Sequence, residues 1–303
     1  MANPRLMLET KLSAGAQIAL NEAQARHVGT VLRLDAGDAI RVFNAADGEW
    51  SARVVEKTKR GMNVRVEGFL RRPRAAPDVD LLFAPVKRHA TDLIVEKATE
   101  LGVRRIRPVI TQRTIAETVR LDRLRSIARE AAEQTERFDA PEILEPLSLA
   151  KALDGWDAAR AVVFADEAGD DAREPWGGAR GRAQPIYEAV RTARPYPHRG
   201  DGGVGGRTSA HSPSGPKAEA TGAHDADING ALRPLAQPPP QGAGALALLI
   251  GPEGGFTQEE RRMLRGLPYV IPVSLGPRIL RAETAVIAAL SVLQSVWGDW
   301  RNP

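Results

Sequence analysis

Apolar positions follow two different periods along the chain. From Arg5 to Leu70 they alternate with polar ones over short stretches. Ala39 to Phe43 ends before Asp47-Gly48, Trp50 to Val55 follows it, and Gly61-Met62-Asn63 leads into Val64 to Phe69. Alternation broken by turn residues predicts strands joined by hairpins, hence a small β domain. Pro73 and Pro77, set among arginines, interrupt that pattern, which places the first domain at 1–75 and a second at 76–303.

Past the interruption the period changes. Val79 to Pro85 is almost continuously apolar, as in a strand buried on both faces, and Ala90 to Leu101 has helical spacing closed by Gly102. The same reading predicts strands at Arg105 to Ile110, Ala161 to Ala165, Ala245 to Ile250 and Tyr269 to Leu275. It predicts helices at Leu121 to Glu136, Ser148 to Leu153, Gln258 to Gly266 and Glu283 to Trp297. Strands spaced by helices make an α/β domain with a parallel sheet. One interval resists: Pro175 to Gly244 is 70 residues with 10 prolines and 13 glycines, too poor in apolar side chains to offset chain entropy. It is expected to be a disordered surface insertion, with at most a helical turn at Ile186 to Val190.

Composition narrows the chemistry. The chain has 303 residues, 43% of them hydrophobic and 26% charged, as in ordinary folded domains. There is no cysteine, which removes disulfides, thiolate metal sites and thiol nucleophiles, and the five histidines show no metal-ligand spacing, so no metal is expected. The longest apolar runs, Gly244 to Ile250 and Ala285 to Leu290, fall short of the about 20 residues that span a bilayer, and Met1 to Thr10 has no apolar signal core. A cytoplasmic protein without a membrane partner is expected. The net charge is only +4, but residues 1–75 hold 13 basic and 8 acidic side chains. That excess suits a polyanionic partner, and equally a solvated basic face.

Two strand ends carry the densest chemistry. Leu249-Ile250-Gly251-Pro252-Glu253-Gly254-Gly255-Phe256-Thr257 lies between a buried strand and a helix, where open α/β sheets bind ligands. Its glycines let a backbone approach a ligand, and Thr257 is placed to cap the helix ahead of Glu259 and Glu260. A tight strand-to-helix turn needs the same residues. A phosphate loop is excluded, because the Lys-Ser/Thr pair is missing and Glu253 repels anions. A neutral or cationic ligand is favoured. Ser274-Leu275-Gly276-Pro277-Arg278-Ile279-Leu280-Arg281-Ala282-Glu283-Thr284-Ala285 repeats the arrangement about one strand later, with Glu283 and Thr284 at a helix start.

With these two stretches the sequence resembles the RsmE-type ribosomal RNA methyltransferases. The likeness extends to Glu96-Lys97-Ala98-Thr99-Glu100-Leu101-Gly102-Val103, to Glu130-Ala131-Ala132-Glu133-Gln134 with Arg137 and Pro141, and to Arg26-His27-Val28 with Val31-Leu32-Arg33. The resemblance implies a SPOUT-type domain tied in a trefoil knot, preceded by a PUA-like β-barrel that binds RNA. It further implies a homodimer that uses S-adenosylmethionine (SAM) to methylate N3 of one uridine in 16S ribosomal RNA, free or within the small (30S) subunit. Glu136, Phe138-Asp139-Ala140 and the long insertion depart from the family pattern.

On that resemblance the cofactor would be held by Leu249, Gly251, Pro252, Glu253, Gly254, Gly255, Ser274, Leu275, Gly276, Ile279 and Leu280. Glu283, Glu253 and His27 are open as acceptors of the N3 proton, and Arg281 would stabilise the uracil anion. RNA contact is assigned to Arg26, His27 and Arg33, to a Lys57, Lys59, Arg60 cluster, and to Lys87 and Arg88. A SAM enzyme acting on another RNA and a non-catalytic RNA-binding assembly factor are the alternatives.

Overall fold

The computed structural model describes residues 3–58, 61–115, 118–171, 173–174, 177–193 and 245–301. Its N-terminal part comprises β1 (Arg5–Met7), β2 (Gln17–Ala19), α1 (Glu22–Arg26), a π-helical turn (His27–Val31), β3 (Ala39–Asn44), β4 (Gly48–Thr58) and β5 (Gly61–Arg71). The strands form one sheet in the order β1-β3-β4-β5-β2. Alternation does what it predicts: Ala52 and Val54 on β4 pair with Val66 and Val64 on β5, and all four are buried, with charged neighbours turned outward. The β3–β4 turn is built by Asn44, whose side-chain oxygen accepts from the Asp47 amide at 2.6 Å. Gly48 then takes φ +82°, and a Cβ there would collide with the Arg71 carbonyl.

The second part contains β6 (Val79–Phe83), α2 (Arg88–Glu100), β7 (Arg105–Ile110), α3 (Leu121–Gln134), β8 (Glu142–Ile143), β9 (Leu147–Ser148), α4 (Leu149–Leu153) and β10 (Ala161–Ala165). It continues with β11 (Gln184–Pro185), α5 (Ile186–Thr192), β12 (Leu246–Ile250), α6 (Gln258–Gly266), β13 (Val270–Ser274) and α7 (Ala282–Val296). The sheet is parallel, in the order β11-β13-β10-β12-β6-β7-β8, with β9 also on β7. β6, β10 and β12 are buried at every residue. Leu81, Phe83, Val163, Leu248 and Ile250 point to the face that includes Ile94, Val190 and Leu290 of α2, α5 and α7. Leu82, Phe164 and Leu249 point to the other, with Leu153 of α4 and Leu264 of α6. No helix among the described residues is long and apolar enough to cross a membrane.

Part of the interval that composition marks as unstructured is built into this domain. β11 pairs with the edge of β13, where the missing amide hydrogen of Pro185 breaks no inner ladder. Ile186, Ala189 and Val190 of α5 are buried against the core under α7. Gly177, Gly178 and Gly181 have positive φ, so here glycine serves tight turns rather than chain freedom. The segment after β10 is tied down as well. Arg261 and Arg265 of α6 both hold the Asp166 carboxylate at 2.7 Å, and Arg261 donates to the Ala168 and Gly169 carbonyls. The rest of the expected insertion, residues 194–244, lies outside the described residues.

Arg5 joins the two parts. Its guanidinium pairs with the buried Glu49 at 2.7 Å and donates to the carbonyls of Ala132, Glu133 and Arg137 at the end of α3. These are carbonyls that a helix end leaves without partners of its own. The Glu133 carboxylate returns a bond, accepting from the Met7 amide at 2.9 Å. Glu136 takes φ +64° and pairs with Arg41 and Arg71, and Phe138 meets Phe43 edge to face. Glu136 and Phe138, which depart from the family pattern, are therefore packed into the junction between the domains.

Candidate active site

Strand order decides which loops meet. Because β10 lies between β13 and β12, the segments leaving their carboxyl ends converge on one cleft. Asp166 and Glu167 line it after β10, Gly251, Pro252 and Glu253 after β12, Leu275, Arg278, Ile279 and Leu280 after β13, and Ala282 and Ala285 from α7.

The Gly251 loop is rigid by construction. A Cβ on Gly251 would stand 2.5 Å from the Phe256 ring, which packs edge to face on Phe164 of β10. Gly255 closes a turn by donating to the Pro252 carbonyl at 2.8 Å with φ +67°. Thr257 and Glu260 then form a reciprocal capping box at the start of α6. From the neighbouring β7–α3 connection, Arg113 donates to the Gly254 carbonyl at 2.8 Å, and Glu260 accepts from the Gln112 amide. Across the cleft, Gly276 takes φ +111° and the Ser274 hydroxyl accepts from its amide at 3.3 Å. Arg281 occupies the N-cap of α7 without a side-chain capping bond.

The electrostatics suit a neutral or cationic ligand. Burial raises the Glu167 carboxyl above its ordinary value, its own amide opposes this, and the adjacent Asp166 charge raises it further. Asp166 is held by Arg261 and Arg265, and Glu167 makes no ion pair among the described residues, the charges of Arg261 and Arg182 only partly offsetting its burial. Glu253 adds a second carboxylate, and Arg278 is the lining residue with a positive charge.

A second cleft opens beside the first and shares Glu253 with it. It runs between the β6–α2 and β7–α3 connections, with Pro85, Val86, Ile115, Val119 and Leu124 as apolar lining and Lys87, Arg88, Thr118 and Arg120 among the polar residues. Arg123 is fixed bidentately to Asp92, its shortest bond 2.6 Å.

Comparison with known proteins agrees with both halves of this architecture. The RNA methyltransferase domain family matches residues 73–187 and 220–294. The chain belongs to the RNA methyltransferase family. Its first domain matches the PUA domain of RNA methyltransferases over residues 20–67. The ribosomal RNA small subunit methyltransferase E of Rickettsia conorii is 26% identical over 288 residues, covering 95% of this methyltransferase and 93% of that protein. A Legionella pneumophila protein solved with the bound cofactor SAM superimposes with a TM-score of 0.71 at 26% identity, covering 99% of this chain and all of that one. The small subunit methyltransferase E of Neisseria gonorrhoeae, also solved with SAM, shares the fold at a TM-score of 0.70 and 24% identity, with the same coverage. The mixed α/β class expected from the periodicity is thus the observed one.

Of the site residues read from the sequence, the structure brings Gly251, Pro252, Glu253, Leu275, Ile279 and Leu280 into the methyltransferase's first cleft, and Lys87 and Arg88 into the second. Others stand apart. The Leu249 side chain is wholly buried in the core on the far face of β12, so only its backbone faces the loop. Gly254, Gly255, Ser274 and Gly276 shape the turns without lining the cleft, while Arg281 is exposed at the head of α7 and Glu283 is half-buried in its first turn. Arg26 ends α1, where it pairs with Glu22, His27 opens the π-helical turn, and Arg33 follows that turn at φ +56°. They line neither cleft. Lys57 is occupied by the Leu34 carbonyl and Asp35, and Lys59 and Arg60 lie outside the described residues.

Sequence reading passed over Glu167, Arg113, Ile115, Thr118 and Arg120. Glu167 had a signal: it follows the carboxyl end of a predicted strand, the position at which parallel sheets bind ligands. The other four sit on an irregular connection, where no periodicity reports which side chains face a cleft.

Proposed function

We propose that this RNA methyltransferase transfers the methyl group of SAM to N3 of a uridine in small-subunit ribosomal RNA, in the cytoplasm. Its full-length relatives are small-subunit methyltransferases, and two structural neighbours hold SAM. Glu253 carries the reading further, because it is a wall common to the two clefts, one fit for a cationic nucleoside and one rimmed by cations.

The first cleft fits SAM by its own chemistry. Leu275, Ile279, Leu280, Ala282 and Ala285 give an apolar bed for a purine, and the bare Gly251 backbone permits close approach. Glu167 and Glu253 favour a ligand with positive charge. Bound there, SAM supplies an electrophilic methyl group on a sulfonium. Glu253, on the shared wall, would take the N3 proton, leaving an electron pair that forms the bond to the methyl carbon as the carbon–sulfur bond breaks and S-adenosylhomocysteine leaves, and Arg278, which lines the cleft, would counter the charge on the uracil oxygens. Glu283 and His27, the other acceptors considered, line neither cleft. The β12–α6–β13 connection passes over β10, which is compatible with a trefoil knot in this segment. Exposed Ile279 and Ile287 give apolar surface for pairing as a homodimer.

Incubation with labelled SAM and small ribosomal subunits lacking this modification, followed by mass spectrometry of digested nucleosides, tests the reading. N3-methyluridine at one position is expected. SAM binding without product points instead to another RNA or an immature particle, and absence of SAM binding overturns the assignment. Glu253→Gln is expected to slow methyl transfer at saturating SAM by about 10²-fold or more, and to weaken SAM binding by a much smaller factor, because Glu167 still faces the cofactor cleft.

A further inference from the structure

We infer that the second cleft seats the accepting nucleotide, a pyrimidine turned out of single-stranded RNA. Its ring would lie against Ile115 and Val119 and its flanking phosphates on Lys87, Arg88 and Arg120. The inference rests on the proposed function and adds where, and by which side chains, the RNA is held.

Reach comes first. In methyl transfer the acceptor nitrogen must approach to about 3–3.5 Å of the donor carbon, so the acceptor site has to adjoin the cofactor cleft. The second cleft does so across Glu253.

Its chemistry selects the ligand. Lys87, Arg88 and Arg120 have no side-chain hydrogen bond or ion pair among the described residues, whereas Arg123, a few residues along, is locked to Asp92. With Asp92 taken up by Arg123, three cations stand against one remaining carboxylate of the lining, Glu253, and that excess matches a polyanion rather than a neutral metabolite. α2 and α3 also begin at this rim, at Lys87 and Arg120, with no side-chain cap on either, so their first-turn amides add to the positive potential. Between the cations the lining is apolar. Ile115 is 80% exposed, the highest value among the large apolar side chains described, and Val119 is half-buried beside it. Such a surface offers a ring the stacking contact it loses on leaving its helix, and Thr118 supplies a hydroxyl for a base edge. N3 of uridine lies on the pairing edge, so the base is open to reaction only when unpaired and turned out.

Two variants of the full-length protein test the inference, Arg120→Glu and Ile115→Ala, with circular dichroism as the check on folding. SAM affinity is measured by calorimetry. RNA affinity is measured with a uridine-bearing single-stranded oligonucleotide at two salt concentrations, and a 4-thiouridine version is photo-crosslinked and mapped by mass spectrometry. The expected result is SAM affinity within about twofold of wild type, with RNA affinity down about tenfold in Arg120→Glu and its salt slope reduced by about one. Ile115→Ala should weaken RNA binding without changing the slope, and the crosslink should fall on residues 115–120. Wild-type protein that binds SAM and RNA while both variants bind RNA unchanged, or a crosslink confined to the first domain, overturns the inference. Wild-type protein that binds neither ligand overturns the functional reading beneath it.

Discussion

Arg5 and Arg120 are the same side chain in opposite circumstances. Arg5 is 6% exposed and spends its donors on Glu49 and three backbone carbonyls, with its guanidinium 3.9 Å from the centre of the Phe43 ring. Arg120 is exposed at the mouth of a cleft and its side chain has no partner among the described residues. A guanidinium taken out of water must be fully hydrogen-bonded, because its desolvation is repaid only by good partners. One left in water keeps its capacity for an incoming anion. Glu49 shows the same logic from the acid side: burial pushes its carboxyl up, but hydrogen bonds from Arg71 and Arg5 outweigh this and hold it below the ordinary value. Arg5 is spent on architecture, and Arg120 keeps its donors for the cleft rim.

Substitution sharpens the contrast. Arg5→Ala strands a buried Glu49 and uncaps α3, with an expected loss of about 3–5 kcal/mol in urea unfolding. A loss below about 1 kcal/mol would mean that the junction carries little of the stability. Gly251→Val drives a Cβ into the Phe256 ring and is expected to cost about 1–3 kcal/mol, together with SAM affinity. Native-like stability and affinity in that variant would sink the account of a rigid loop.

Glu133→Gln probes the junction through pH. Burial raises the Glu133 carboxyl despite the bond from Met7, so the folded state disfavours the carboxylate, and this contribution to stability is lost as pH rises through the folded value. Glutamine still accepts from Met7. The variant should therefore gain up to about 1 kcal/mol at pH 7 and lose less stability than wild type as the pH is raised above the acid range. An identical pH profile would remove Glu133 from the titration. Arg120→Ala, the mirror of Arg5→Ala, should stay within about 0.5 kcal/mol of wild type, and a larger loss would give Arg120 a structural role.

Much of the frame was legible because its causes are local. The all-buried runs of β6, β10 and β12, the helical spacing of α2 and the capping residues of α6 each depend on neighbours a few positions away. Composition misled at 177–193, since it counts glycine and proline without reporting that Gly177, Gly178 and Gly181 sit in ordered turns and that Ile186 and Val190 find a core. The candidate site was half visible. Gly251 to Glu253 and Leu275 to Leu280 stood out as glycine-bearing strand ends, whereas the pleat, which turns the Leu249 side chain into the core and Ile250 toward the cleft, shows only in the folded sheet.

What the sequence determined by itself was the long strands and helices of the second domain, the change of period near residue 75 and the two glycine-bearing strand ends, the first of which excludes a phosphate ligand. These are matters of local propensity and side-chain chemistry. The tertiary structure decided that β10 lies between β12 and β13, so that Glu167 joins loops from far along the chain. It also decided that Glu253 divides two clefts, and that Arg5 is spent on the junction while Arg120 has no side-chain partner among the described residues. Strand pairing and the desolvation of charge are set by residues distant in sequence, and no local pattern encodes which of two arginines will be taken out of water.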